Sequence, residues 1–167
     1  MNYGNIKEFD VADGPGVRVS LFVSGCRHHC KGCFNSDTWD FAYGRPYTAE
    51  TQKEILKTLS SPYITGFTLL GGEPFEPENQ APLAGLLKEI RETYPEKSIW
   101  CYTGYLYDED LIPGGKVFTD FTKEMLSNID VLVDGEFVEA QKDITLAFKG
   151  SRNQRIIELS DSPKIIG

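Results

Sequence analysis

Between Val17 and Gly25 the chain reads VRVSLFVSG, β-branched and aromatic residues in partial alternation with polar ones, which predicts a strand running out into a loop. Over Thr48–Ser60 (TAETQKEILKTLS), Ile55, Leu56 and Leu59 fall on one face of a helical period. The start of that helix is open, because Thr48 suits an N-cap while Thr51 with Glu54 suits a capping box. A short apolar strand broken by two glycines and a proline follows at Ile64–Phe75 (ITGFTLLGGEPF). The clearest helix comes next: Leu83, Leu86, Leu87, Ile90 and Tyr94 keep the period, and Pro95 stands past the last turn. Ser98–Tyr105 (SIWCYTGY) reads as a third strand, Asp120–Ile129 as a helix and Asp130–Phe137 (DVLVDGEF) as a fourth strand, and the tail QRIIEL suits a further one.

Strands separated by helical segments imply βαβ units, hence an α/β fold with a largely parallel sheet and right-handed crossovers. No repeat, linker or low-complexity tract divides the chain, which predicts a single domain over residues 1–167. The unusual short motifs share one address. A cysteine loop, GGEP, TGY and DG each stand at the C-terminal end of a predicted strand, the edge where parallel α/β folds build their sites.

Charge and composition exclude some partners. With 17 Lys and Arg against 25 Asp and Glu the formal net charge is −8, unsuited to a sequence-independent grip on nucleic acid phosphates. No apolar run reaches the roughly 18 residues of a membrane span, and MNYGNIKEFD lacks the regions of a secretory signal, so the expectation is a cytoplasmic protein. In a reducing cytosol, clustered cysteines are metal ligands or redox thiols more often than disulfides.

The cysteine loop, SGCRHHCKGCFN, sets Cys26, Cys30 and Cys33 at CxxxCxxC spacing, with Cys101 the one other cysteine. A structural zinc wants four closed ligands. His28 or His29 would have to supply the fourth from within a loop too short to reach the same ion without strain. A four-iron cluster on three cysteines instead leaves one iron open to substrate or cofactor. Cys101, on a predicted strand between Trp100 and Tyr102, reads most simply as a small core residue.

CxxxCxxC after the first strand with GGEP after the second resembles the radical S-adenosylmethionine superfamily. DGPGVR (Asp13–Arg18) resembles the lead-in of glycyl-radical-enzyme activases. CKGCFN, WCYTGY, DVLVDGEF and FKGSRNQRII (Phe148–Ile157) resemble the activating proteins of anaerobic ribonucleoside-triphosphate reductases, and the similarity runs from Asn2 to about Ile157. The resemblance implies an open partial (βα) barrel of radical SAM type, too short to close. It implies a 4Fe-4S cluster on Cys26, Cys30 and Cys33 whose open iron is chelated by S-adenosyl-L-methionine, and reductive cleavage to a 5′-deoxyadenosyl radical that takes hydrogen from a glycine of the reductase.

Carried onto this sequence, the resemblance sets Gly71, Gly72 and Glu73 against the methionine end of the cofactor. Glu73 either accepts from the cofactor ammonium or fixes the loop. Gly32, Cys33 and Phe34 pass beside the adenine. The superfamily usually has an aromatic residue directly before the third cysteine, whereas here Gly32 precedes it and Phe34 follows, so which residue stacks on the base is left open. Thr103 and Asp134 are candidates for the ribose or carboxylate, with ordinary turn chemistry as the alternative. His28 and His29 read as solvated, and Trp39, Phe41 and Tyr43 as core or as a lid. The implied partners are the catalytic subunit of the reductase, entering through a wide gap with KGSRNQR helping to dock it, and a small flavoprotein electron donor. An activase of another glycyl radical enzyme, of formate-lyase type, and a plain iron-sulfur electron carrier are the alternatives.

Overall fold

The stretch that opens the apolar pattern becomes the strand on which the rest is built. In the computed structural model, which describes Met1–Gly167, Arg18–Val23 forms β2 with every residue buried. Ahead of it lies β1 (Asn2–Asp10), and past the cysteine loop a two-residue β3 (Arg45–Pro46). Then come α1 (Ala49–Leu59), β4 (Gly66–Gly71), α2 (Pro77–Thr93), β5 (Ser98–Tyr102), α3 (Thr122–Asn128) and β6 (Val131–Asp134). The tail adds β7 (Arg155–Glu158) and β8 (Lys164–Ile165).

These strands make one sheet in the order β3-β1-β2-β4-β5-β6-β7-β8. Parallel pairing is confined to its centre, β2-β4-β5-β6, where helices make each crossover. The flanks are antiparallel, β3 on β1 and β1 on β2 at one side, β7 on β6 and β8 on β7 at the other. The sheet is therefore mixed, because the joins into β2, β7 and β8 carry no α-helix to make a crossover and return the chain antiparallel to the strand before.

Strand alternation divides the sheet into two faces. Leu21, Leu69, Cys101 and Leu132 point to the side covered by Ile55 and Leu59 of α1, Leu83, Leu87 and Ile90 of α2, and Met125 of α3, forming the main core. Helix α1 starts at Thr48, whose hydroxyl accepts from the Thr51 N–H while Thr51 returns the bond, so the capping box is Thr48 with Thr51 rather than Thr51 with Glu54. On the opposite face Trp100, Val131, Val133 and Ile156 form a smaller apolar cluster.

Arg18 is fully buried without a carboxylate in contact. Its guanidinium donates to Thr68 Oγ1 (2.7 Å), Ser98 Oγ (2.9 Å) and the carbonyls of Pro15 (3.1 Å), Phe67 (2.9 Å) and Ser98 (2.8 Å), and burial lowers its pKa to about 10. Thr68 Oγ1 in turn donates to the Asp13 carbonyl at 2.8 Å. DGPGVR is thus a turn sewn onto the sheet by its own last residue. Arg18→Met, which strands these acceptors, is expected to cost on the order of 2–3 kcal/mol in urea unfolding.

Candidate cluster and cofactor site

The loops after β2, β4 and β5 are tied to one another by backbone and side chain together. The Gly72 N–H donates to the Val23 carbonyl (3.1 Å) and the Glu73 N–H to the Gly25 carbonyl (2.8 Å). Asn79 Nδ2 donates to the carbonyls of Ser24 and Glu73, each at 3.0 Å. Gly71 has φ +145°, and a Cβ there would lie 2.4 Å from the Val23 N and O atoms. One on Gly72 would lie 2.7 Å from the Val23 carbonyl oxygen and 2.8 Å from that of Gly25. The two glycines are required by the chain's own backbone, which crosses directly over them.

Glu73, 1 % exposed, is the hub. Oε1 accepts from Thr103 Oγ1 (2.6 Å) and the Phe75 N–H (3.0 Å), while Oε2 accepts from the Gly104 N–H (2.8 Å) and faces His28 Nε2 (3.0 Å). Of the two roles open to it, this geometry supplies loop fixing. His28 corrects the expectation of a solvated residue: its side chain is 7 % exposed, its Nδ1 lies 2.7 Å from Glu136 Oε1, and its ring packs on Tyr105. Burial alone would lower its pKa, but Glu73 and Glu136 outweigh it and hold it up at about 9. His29 is exposed at the surface and stacks on Trp39.

The knot borders a cavity of about 470 Å³. Cys26, Cys30 and Cys33 line it together with Gly32, Phe34, Gly71, Gly72, Glu73 and Thr103, so nine of the ten site candidates share one wall. Asp134 does not. It is 0 % exposed, and its carboxylate accepts from Arg155 Nε (2.9 Å), Arg155 Nη2 (2.5 Å) and the Tyr107 N–H (2.8 Å). Arg155 also reaches Asp108, so its charge is committed internally rather than offered for docking. Gln154 and Asn153 brace the neighbouring turn by donating to the carbonyls of Gly135 and Glu136. Thr103 keeps its place at the cavity, though its hydroxyl is engaged with Glu73 and the Tyr105 N–H. Of the three aromatic residues after the cysteine loop, only Trp39 lines the cavity; Phe41 lies under the Arg27 guanidinium.

The donor set suits a cluster better than a single ion. A structural zinc takes four ligands, and the cavity is bordered by three thiols with the fourth cysteine elsewhere. Three thiols around a shared volume suit a body in which each thiolate binds its own iron. Burial pushes the Cys26 thiol up to about 12 and raises that of Cys30, so metal must displace protons to bind. Cys101 is 0 % exposed in the core, on the helix-covered side of the sheet, and is unable to serve as a fourth ligand.

A further wall comes from residues outside the candidate set, Asp13 of DGPGVR, Tyr102 of WCYTGY, Phe148 of FKGSRNQRII, Lys142 and Ile144 among them. Burial and the adjacent Asp10 carboxylate raise Asp13 to about 7, while Asp10, despite its burial, is lowered by bonds including one from Ser20. A half-buried acid with a raised folded pKa favours folding below its unfolded value, near 3.8, and loses that contribution as pH climbs toward 7. Asp13→Asn is therefore expected to be more stable than the parent at pH 8, with the gain vanishing near pH 4 in urea titrations.

The model of the family described as "4Fe-4S single cluster domain" matches residues 12–157. The anaerobic ribonucleoside-triphosphate reductase-activating protein of Enterobacteria phage T4 is 40% identical over 161 residues, 96% of this chain and 96% of that one. The chain belongs to the family of anaerobic ribonucleoside-triphosphate reductase-activating proteins. Family members of the same name from Vibrio cholerae (40% over 158 residues, 93% of this chain and 97% of that one) and Escherichia coli K12 (38% over 161 residues, 95% and 99%) are similarly related. Membership fits the cavity, since a cluster is the group that its three thiols suit. No helix is long and apolar enough to cross a membrane.

Proposed function

We propose that this chain is a radical SAM oxidoreductase of the cytoplasm that activates an anaerobic ribonucleoside-triphosphate reductase. Cys26, Cys30 and Cys33 would hold a 4Fe-4S cluster, and S-adenosylmethionine would occupy the adjoining cavity. When bound, the pair supplies reductive cleavage of the sulfonium bond, giving a 5′-deoxyadenosyl radical that takes a hydrogen atom from a reductase glycine. The observation that carries this reading is the shared cavity: three thiols and the ends of β4 and β5 border it, while the fourth cysteine is sealed away.

The chain's own residues position and shield. Glu73, with Thr103 and His28 bound to it, holds the three loops in register, so the cysteines meet the cluster with their backbone already fixed. Gly71 and Gly72 keep the floor flat. Phe34 and Gly32 flank Cys33 at the rim, with Phe34 83 % exposed and available to cover a bound base. The sheet ends in β3 and β8, which do not pair with each other, consistent with an open partial barrel and a single domain. The reductase glycine would enter from the cavity mouth, and a small flavoprotein would supply the electron.

The test is anaerobic: reduced, reconstituted chain with S-adenosylmethionine should release 5′-deoxyadenosine, and adding the reductase subunit should give a glycyl radical signal in proportion. Absence of 5′-deoxyadenosine from a fully loaded chain would refute the reading.

A further inference from the structure

Between β6 and β7 the chain folds back on itself. Lys142 and Ser151 bridge as antiparallel partners, the Asp143 N–H donates to the Gly150 carbonyl (3.3 Å) and the Arg152 N–H to that of Gln141 (2.9 Å). The GSRNQR motif staples the base of this loop. Gln154 Oε1 accepts from the N–H groups of Gly150 (2.8 Å) and Ser151 (3.2 Å), its Nε2 donates to the Gly135 carbonyl (3.0 Å), and Ser151 Oγ accepts from the Val138 N–H (3.2 Å). Farther out, Phe148 packs on Trp100, ring centroids 5.3 Å apart, in a left-handed conformation (φ 60°) that a bulky residue keeps only where its surroundings force it. The loop is therefore held in one place, at the cost of local strain.

Its outer part is bonded quite differently. Ile144, Leu146, Phe148 and Lys149 border the cavity, yet the N–H groups of Ile144, Ala147, Phe148 and Lys149 and the carbonyls of residues 144–149 have no hydrogen-bond partner within the chain. The same stretch carries Ile144, which at 91 % exposed is the most exposed large apolar side chain of the molecule. The cavity, about 470 Å³, has the size of a small-molecule site, so with a cofactor inside it a protein partner reaches only the mouth. A glycine has no side chain to be recognised by. It is held through its backbone and its sequence neighbours, and unpaired main-chain groups beside an exposed apolar side chain supply both kinds of contact.

We propose that the loop of residues 142–151 is the docking element for the reductase: its free main-chain groups bond the backbone of the extended, glycine-bearing segment, and Ile144 packs on an apolar neighbour of that glycine. This rests on the activase reading above. Docking by the tip of the loop also fits the basic residue at its far end, since Arg155 is already paired with Asp134 and Asp108.

The test uses the full chain with its cluster reconstituted, unreduced and with S-adenosylmethionine, and the catalytic subunit of the reductase as the probe. Ile144→Asp alters a solvent-exposed side chain, so its urea midpoint should stay parental while calorimetry shows affinity for the reductase falling at least about tenfold. Tyr63→Asp is the control. Tyr63 is equally open to solvent, but it stands in the turn between α1 and β4, at the opposite end of the parallel strands from the cavity, and its variant should bind like the parent. On the parent chain, millisecond amide exchange read by mass spectrometry should slow over residues 144–149 when the complex forms and stay unchanged over residues 60–63. Parental affinity in Ile144→Asp, or unchanged exchange over residues 144–149 in a formed complex, would overturn the proposal and leave the activase reading standing. A parent chain that forms no complex with the reductase would overturn both.

Discussion

Alanine at Cys26, Cys30 or Cys33 is expected to leave a folded chain that cleaves S-adenosylmethionine at least about 100-fold more slowly, since even loss of an outer partner of a metal ligand costs 10–100-fold. Folding should survive because the loop is held by other bonds. Gly25 and Cys26 donate backbone N–H groups to Thr38 and Trp39, Arg27 pairs with Glu76 and Glu78, and His28 bridges Glu73 and Glu136. The thiols add little of their own; Cys33 Sγ accepts one long bond, from the Asn35 N–H at 3.4 Å. Circular dichroism of the apoprotein and 5′-deoxyadenosine release after reconstitution measure the two halves. Cys101→Ala is the control and should retain both iron and cleavage. Parental activity in any of the three loop variants would remove that cysteine from the ligand set.

The second large effect falls on Glu73. Glu73→Ala removes a buried carboxylate that four groups face, leaving Thr103, Phe75, Gly104 and His28 short of an acceptor. Breaking a buried charged pair from one side costs about 3–5 kcal/mol, and a loss in that range is expected in urea unfolding of the cofactor-free chain. Glu73→Gln should lie between, because its amide can still accept on one side but presents N–H to donors on the other. His28→Ala and Glu73→Gln should combine with a coupling of at least about 0.5 kcal/mol, as contacting residues do. If Glu73 served only the cofactor ammonium, alanine would leave the stability of the cofactor-free chain unchanged.

Legibility followed the range of the signal. β2, β4, β5 and β6 were readable because their apolar runs are local, and so was the gathering of their C-terminal loops, since parallel strands bring those ends to one edge. β1 was missed: NYGNIKEFD is largely polar with one buried residue, and it becomes a strand by pairing with β2. The roles that failed depend on distant partners. Asp134 is a candidate for the cofactor's ribose or carboxylate from its motif, but Arg155, 21 residues on, occupies its carboxylate. His28 looked solvated because Glu73 and Glu136, 45 and 108 residues away, are brought to it only by the fold. Cys101 was readable as core because its neighbours on the strand already marked it as such.

The measurement that bears most directly on the central claim is electron paramagnetic resonance of the anaerobically reconstituted, reduced chain with and without S-adenosylmethionine. A four-iron signal that changes shape when the cofactor is added is the expected result, because it reports an iron left open by three cysteines. A chain that takes up zinc instead, or a cluster whose signal is indifferent to the cofactor, would contradict the account.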